Sequence, residues 1–351
     1  MESLLYSNKF KKIVILIVTA LLLMKGFDLK AQDPQFSQFY ASPLYLNPAL
    51  AGGADRGRVG VNYRNQWPAL NHSFTTMSAY IDWFSKAYES GFGVIITEHS
   101  EGFLDYKSQE IGALYSYKLQ LAKGLVLRTG VQLSYFNKDV NFEELVFGNQ
   151  IDIVNGQVIG PSGETFERGA RVGFVSASAG GLIYTSSSWL GFSVHHINQP
   201  NQSFIGEESR LERKYSVHTG FKLNFKKGRR LRTVAYQFQE RSATFALNYK
   251  KQGPFNQLDA GVQFYLQPFV IGGWYRGIPI QSVDRVIKNE SIIALVGLEL
   301  NSQLSFGYSY DFTVSKLAGS TGGAHEFSLT FELWEVKKRS RRDTRLPCFK
   351  Y

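Results

Sequence analysis

The chain has 351 residues, a formal net charge of +10 and an aromatic content of 15%, and only 19% of its residues are charged. Abundant Phe, Tyr and Gly favour β structure over a helical enzyme. Outside residues 1–31 no segment approaches about 18 uninterrupted apolar residues, which excludes a transmembrane helix there. The single cysteine, Cys348, excludes an intrachain disulfide.

Residues 1–31 are predicted to form a secretory signal peptide. Three lysines within 9–12 precede an uncharged, mostly apolar run at 13–24, and Ala31 is a small residue at the predicted cleavage point before Gln32. The alternative, a membrane anchor helix, would need about 20 apolar residues. An exported chain rarely meets nucleic acid, so the positive charge predicts contact with outer-membrane lipid or an acidic protein instead.

Residues 32–56 fit no strand. The segment carries Pro34, Pro43, Pro48 and the pair Gly52–Gly53, with four aromatic residues between them. Aromatic side chains in a proline-rich segment need a surface against which to pack. We predict either a plug inside the structure that follows or a flap across its periplasmic mouth.

From 57 to 334 the dominant pattern is an alternation of apolar and polar residues. In 125–136, for example, Leu, Thr, Val and Tyr alternate with Arg, Gln and Ser. The runs span eight residues or more, which suits a tilted membrane strand of roughly 9–11 residues better than a soluble strand of about 5–6. The pattern therefore predicts an all-β, antiparallel outer-membrane barrel over 57–334. A soluble periplasmic β-sandwich would need a polar outer face.

Fifteen such runs can be counted, whereas bacterial barrels have an even number of strands. Short periplasmic turns should alternate with long extracellular loops, and merging two runs between 230 and 276 restores that alternation. Gln267-Pro268 is a candidate kink within a merged strand. The prediction becomes about fourteen strands, with 277–290 and 313–323 as extracellular loops. The runs are 57–64, 73–84, 90–98, 108–119, 125–137, 171–184, 188–197, 213–225, 230–239, 242–250, 256–266, 269–276, 291–299, 303–312 and 324–334.

Two basic clusters are predicted on the periplasmic side. One surrounds the turn at 226–229, and the other lies in the C-terminal tail, residues 335–351. They are expected either to meet lipid headgroups or to dock an acidic periplasmic partner. The residues predicted for docking are Lys226, Lys227, Arg229, Arg230, Arg341 and Arg342.

Patterns that would carry catalysis or metal binding are weak. The six histidines lack metal-ligand spacing, and their side chains are expected to face the lumen or the membrane interface. Acid pairs at 143–144 and 207–208 are expected to be solvated loop charge. Nucleophile, P-loop and dinucleotide motifs do not occur. We predict no enzyme activity, no metal and no cofactor.

Several stretches resemble the PorP/SprF-like family, outer-membrane components of the type IX secretion system of Bacteroidetes. The most specific are Q-D-P-Q-F-S-Q-F-Y from Gln32 and N-P-A-L-A-G from Asn47. G-G-W-Y-R-G at 272–277, a hairpin motif at 310–326 and L-P-C-F-K-Y at 346–351 agree with it. The residues matched in the first block are Pro34, Gln35, Phe36, Ser37, Gln38, Phe39, Tyr40, Asn47, Pro48, Ala49 and Gly52. Those matched in the hairpin are Tyr310, Asp311, Phe312, Ser315, Lys316, Gly322, Gly323, His325 and Glu326.

The resemblance implies a fourteen-stranded barrel that is not an enzyme. It implies partners of two kinds: a secreted surface protein, such as an adhesin of the kind used in gliding motility, and periplasmic ring or peptidoglycan-binding components. The motif residues are expected to have a structural role or to contact a partner. The alternative function is an outer-membrane channel or hydrophobic-solute transporter with an N-terminal plug.

Overall fold

Fourteen antiparallel strands close into a barrel in this computed structural model, each pairing with its sequence neighbours and the last pairing with the first. The unit formed by Pro34–Tyr351 is described here. The structure describes residues 33–54, 57–70, 72–102, 105–141, 150–152, 155, 157–158, 160, 170–204, 208–225, 241–283, 286–300, 303–315, 319–333 and 346–347. Within these ranges no helix is long and apolar enough to cross a membrane.

The strands are regular because period-two sequences pair in register along most of their length. Their bounds are β1 Arg58–Gln66, β2 Phe74–Ser85, β3 Ser90–Glu101, β4 Tyr106–Ala122, β5 Leu125–Val140, β6 Ala170–Tyr184, β7 Ser188–His195, β8 Lys214–Asn224, β9 Arg241–Gln252, β10 Phe255–Leu266, β11 Phe269–Val283, β12 Val286–Glu299, β13 Leu304–Thr313 and β14 Ala324–Glu332.

The two ends of the barrel differ. At one end β1 begins and β14 ends, since Arg58 pairs with Glu332, and we name it the terminal end. At the opposite end, the loop end, lie the two longest connections between consecutive strands, 141–169 and 196–213. The start of β1, the end of β14 and most short turns therefore share one end, as in outer-membrane barrels.

Along each strand, apolar side chains face outward and polar side chains face the lumen. On the outside, Ile96 is 53% exposed and Leu133 is 61% exposed. On the inside, Ser116, Arg128 and Asn248 are fully buried. Because this arrangement puts an apolar surface where a soluble protein would place a polar one, the outer wall is suited to lipid.

The count of fourteen strands is confirmed, but the candidate kink at Gln267-Pro268 is wrong. The runs at 242–250, 256–266 and 269–276 are three separate strands, and Gln267-Pro268 forms the turn between β10 and β11. β8 pairs directly with β9, so the barrel closes without the run at 230–239, which lies outside the described residues. Most of the expected loop 277–290 continues β11 and β12 instead.

Residues 34–54 form a plug inside the lumen. The plug contains one short helix, α1 (Pro43–Leu46), and a 3-10 turn, Pro48–Leu50, each with proline at its first position. Leu44, Asn47 and Ala49 are completely buried. The aromatic and proline-rich segment thus packs against the barrel interior, which selects the plug over the flap.

Candidate functional site

The Ser37 hydroxyl joins the plug to three strands of the barrel. Ser37 Oγ donates to Asp311 Oδ2 at 2.7 Å and accepts from Arg64 Nη1 at 2.6 Å and Arg276 Nη2 at 3.0 Å. Both guanidinium groups also donate to Asp311 Oδ2, each at 2.9 Å. A hydroxyl has one proton and two lone pairs, so the hydrogen-bonding capacity of Ser37 is fully used.

Glu326 binds the backbone of the plug at Ser37 and Gln38. Its carboxylate oxygens accept from the main-chain N–H groups of Ser37 at 2.7 Å and Gln38 at 2.8 Å. The Gln38 amide donates to Ser309 Oγ and to the Glu326 carbonyl, both at 3.1 Å, and accepts from Ser328 Oγ at 2.7 Å. These buried polar groups are hydrogen-bonded, as buried groups must be to avoid a large desolvation cost.

The acids and bases of this region form one buried network. Arg276 Nε lies 2.8 Å from Asp259 Oδ1, and Lys250 Nζ lies 3.2 Å from Asp259 Oδ2. Arg64 Nη1 lies 3.2 Å from Glu326 Oε2. With Asp311, the network holds three cationic and three acidic side chains, so its formal charge is balanced. We name Arg64, Lys250, Asp259, Arg276, Asp311 and Glu326 the ionic wall.

The ionic wall brings together three stretches that are distant in sequence. Ser37 and Gln38 belong to the N-terminal motif, Arg276 to the stretch at 272–277, and Asp311 and Glu326 to the hairpin motif. These three stretches are thereby connected through direct hydrogen bonds in the lumen. Their shared role in this structure is to hold the plug.

On the opposite side, a row of small residues faces the plug. We name these residues the small-residue wall: Gly91 of β3, Ser116 of β4, Gly130 of β5, Gly180 of β6 and Ser193 of β7. They are successive cross-strand partners in a single row. Such a row leaves space for the backbone of another segment to approach the strands closely.

The 3-10 turn of the plug occupies that space. A Cβ atom on Gly130 would lie 2.4 Å from Ala49 N, and one on Gly180 would lie 2.0 Å from Asn47 Oδ1. Both distances are far below van der Waals contact. Ser116 Oγ and Ser193 Oγ donate to plug carbonyls, at 2.8 Å and 2.9 Å. The wall therefore contacts the plug backbone through small side chains and hydrogen bonds.

Asn47 uses its whole side-chain amide between α1 and the 3-10 turn. Asn47 Oδ1 accepts from Ala49 N at 2.9 Å, which caps the turn. Asn47 Nδ2 donates to the carbonyls of Gly181 and Phe192, both at 3.2 Å, and lies 3.1 Å from His218 Nε2. The asparagine thus fixes the local plug conformation and its position against β6–β8 together.

The end of the plug is held by a second charged group. Gly52 N donates to Asp82 Oδ2 at 2.7 Å, and Arg58 binds the same carboxylate through Nε and Nη2. Arg128 donates to the carbonyls of Ala51 and Gly52. Gly52 has a φ of +65°, a conformation that glycine adopts without strain.

The plug runs lengthwise through the barrel. Gln35 Nε2 donates to Glu290 Oε1 at 3.1 Å, and Glu290 precedes Ser291, which pairs with Thr313 at the loop end. Asp82, which binds Gly52, pairs with Arg58 at the terminal end. The chain therefore enters the described plug near the loop end and leaves it near the terminal end, where β1 begins.

Aromatic and aliphatic side chains fill the middle of the lumen. Phe39 and Tyr40 pack on the indole of Trp274, with ring centroids 5.1 Å and 5.6 Å away. Leu50 belongs to the same cluster, against which Leu346 of the C-terminal segment packs. Burying these large rings stabilises the plug by roughly 25 cal/mol per Å² of apolar surface removed from water.

The other predicted motif residues lie apart from the lumen or outside the described ranges. Tyr310, Phe312 and His325 are on the outer face, where the Tyr310 ring lies 4.8 Å from that of His325. Gly322 and Gly323, with φ of +73° and +70°, form the turn before β14. Ser315 lies beyond β13. The remaining predicted residues, Lys316, Lys226, Lys227, Arg229, Arg230, Arg341 and Arg342, lie outside the described residues.

The sequence analysis missed many of the barrel residues that hold the plug. Arg64, Asp259, Asp82 and Arg128 carried no motif, although each is a charged residue within a predicted strand. Charge in a membrane strand points to a lumenal function, and that signal was available. His195 and His196 were expected to face the lumen or the membrane interface, and both are buried at the point where β7 ends at His195 and His196 has a φ of +56°. In the described part of the chain, no group of three or more metal-ligating side chains is arranged to hold an ion.

The fold and its lumenal plug define a class, the outer-membrane β-barrels with an internal N-terminal segment. A family model described as the type IX secretion system membrane protein PorP/SprF matches residues 28–331. The chain therefore belongs to the PorP/SprF family and is an outer-membrane protein. No curated protein is detectably similar to it.

Several solved barrels are similar in outline. The outer membrane protein Omp33 of Acinetobacter baumannii is 8% identical, with 80% of this chain and 100% of that chain covered and a TM-score of 0.42. A FadL homologue of Pseudomonas aeruginosa is 13% identical, with 88% and 96% covered and a TM-score of 0.41. The CymD monoaromatic hydrocarbon channel is 12% identical, with 84% and 93% covered and a TM-score of 0.40.

Proposed function

We propose that the protein supports the secretion or surface anchoring of a specific exported protein, such as an adhesin, and links it to the periplasmic part of the type IX machinery. In this proposal the protein is an adaptor and not an enzyme. The observation that carries it is the plug, which is bound to the ionic wall on one side and to the small-residue wall on the other. An internal segment held in this way makes the barrel a stiff support.

The same observation weighs against a channel. Solute passage along the lumen would require the plug to leave, which breaks the ionic network and exposes buried charges. Outer-membrane lipid, an exported client and periplasmic components are therefore the partners proposed, with the terminal end facing the periplasm. In this proposal the basic residues at 226–232 and 337–345 contact the periplasmic partner.

The proposal is tested by purifying the tagged protein from intact outer membranes and identifying what accompanies it by mass spectrometry. We expect one exported surface protein together with periplasmic components, and retention of that exported protein inside cells that lack the barrel. Purified barrel in planar bilayers should conduct little. Steady solute flux, with normal export in the deletion strain, would instead favour the channel.

A further inference from the structure

At the loop end the hairpin β5–β6 extends further from the barrel than the neighbouring strand β7. β5 pairs with β6 as far as Val140 and Ala170. β7 pairs with β6 only between Ala179 and Tyr184, and β7 ends at His195. The loop-end part of β6, before Ala179, therefore has β5 as a partner strand on one side and no partner strand on the other.

On this edge, the backbone groups of Ala177 and the carbonyl of Val175 already have hydrogen-bond partners. The side chain of Asn198 accepts from Ala177 N at 3.0 Å and donates to Val175 O at 2.8 Å, and Ile197 N donates to Ala177 O at 2.9 Å. An asparagine side chain thus takes the place of a neighbouring strand at these positions. Since backbone groups alternate along a strand, those of Gly173 and Arg171 point the same way.

Beyond Val175 no described residue pairs with the edge of β6. Among the described residues, the backbone groups of Gly173 and Arg171 make no hydrogen bond on the side away from β5. An unpaired strand edge can exist only outside the hydrocarbon region of the membrane. Tyr135, the partner of Val175, is 51% exposed on the outer face, where an aromatic ring marks the membrane interface. Unpaired backbone groups are tolerated only above that level, in water.

We propose that the edge of β6 from Arg171 to Val175 binds an extended segment of the exported client by adding it as a strand. An extended chain is the partner whose N–H and C=O spacing matches these groups. The Arg171 side chain is 73% exposed and is paired with Asp139 at 2.6 Å, so the segment is recognised here by its backbone and not by its charge. This inference rests on the proposed adaptor function and names the surface that performs it.

Gly173 provides a matched pair of variants. Its N–H points away from β5, so Gly173→Pro removes the edge donor, fixes φ near about −65° and leaves in place every N–H group that bonds to β5. Gly173→Ala keeps the donor, and both variants must displace the Tyr135 hydroxyl, which lies 2.3 Å from the Cβ position. The comparison therefore isolates the edge hydrogen bond. Heat-modifiable migration of the barrel in gels verifies that both variants fold.

The test uses the full-length barrel and the exported protein that co-purifies with it. We expect Gly173→Pro to weaken binding about tenfold or more relative to Gly173→Ala. In the wild-type complex, the amides of Arg171 and Gly173 should become protected from hydrogen exchange, whereas Val172 and Phe174 are already protected by β5. Equal binding by the two variants, unchanged exchange, or protection caused by a second copy of this chain would overturn the inference. Failure of any exported protein to co-purify would overturn the proposed function as well, which separates the two results.

Discussion

The two walls that hold the plug differ in chemistry and in how they constrain it. The ionic wall contacts side chains and N–H groups of residues 37–38 through charged groups that are themselves bound to one another. The small-residue wall contacts residues 46–51 and provides space as well as hydrogen bonds. Charge neutrality determines what the first wall tolerates, and side-chain volume determines what the second tolerates. The following variants separate these two requirements.

The largest effect is expected at Arg276. Arg276→Ala leaves Asp259 and Asp311 buried with one cation fewer, so the free energy of unfolding should fall by about 3–5 kcal/mol. Denaturant titration of the barrel in lipid vesicles measures the change. Arg210→Ala, which removes a surface pair with Glu208, should cost about 0–1 kcal/mol. Similar costs for the two variants would contradict the role given to the ionic wall.

A smaller loss is expected from filling the small-residue wall. Gly180→Val places methyl groups where Asn47 lies and should destabilise the plugged barrel by about 1–3 kcal/mol. Gly181→Val is the matched control, because a Cβ there meets nothing within 4 Å on the outer face. Bilayer conductance should rise for the first variant only. If both variants behave alike, the wall does not position the plug.

The hydroxyl of Ser37 should contribute about 1–3 kcal/mol, because its removal leaves charged donors without an acceptor. Ser37→Ala is therefore expected to lower the temperature at which the plug becomes sensitive to protease. Ser42→Ala is the control: Ser42 is equally buried in the plug, and its Oγ makes no hydrogen bond with the described residues. A protease profile that changes equally in both would show that the network does not depend on Ser37.

The smallest effect on the barrel is expected outside both walls. Changing Arg229, Arg230, Arg341 and Arg342 to Glu should leave the free energy of unfolding unchanged, since none of the four belongs to the ionic wall or to the small-residue wall. Binding of the periplasmic partner should be lost in pull-downs from detergent extracts. Retained binding would assign these cations to lipid headgroups instead.

Fourteen of the fifteen predicted runs correspond to strands, because lipid enforces an apolar outer face on every strand that crosses it. The period-two pattern failed at the extension of β11 to Val283, where Gly277 and Pro279 are residue types that usually mark a loop. A similar limit applied to the plug: proline and aromatic content predicted a packed non-strand segment at 32–56, but not which strands would bind it.

The sequence motifs contained part of the ionic wall, but no sequence pattern indicated the small-residue wall. Asp311 and Glu326 stood in a recognisable motif, whereas Gly91, Gly130 and Gly180 are three glycines among 33. They form a row only through the register of four strand pairs. Register depends on turn lengths and long-range pairing, which a single sequence specifies poorly.

The position of Ser37 has a consequence for the order of assembly. Its hydroxyl is bound by the first strand, through Arg64, and by the penultimate strand, through Asp311, while Glu326 of the last strand binds its N–H. These groups come together only when β1 pairs with β14. Complete binding of the N-terminal segment therefore requires a closed cylinder, so residues made first are fixed in place by residues made last.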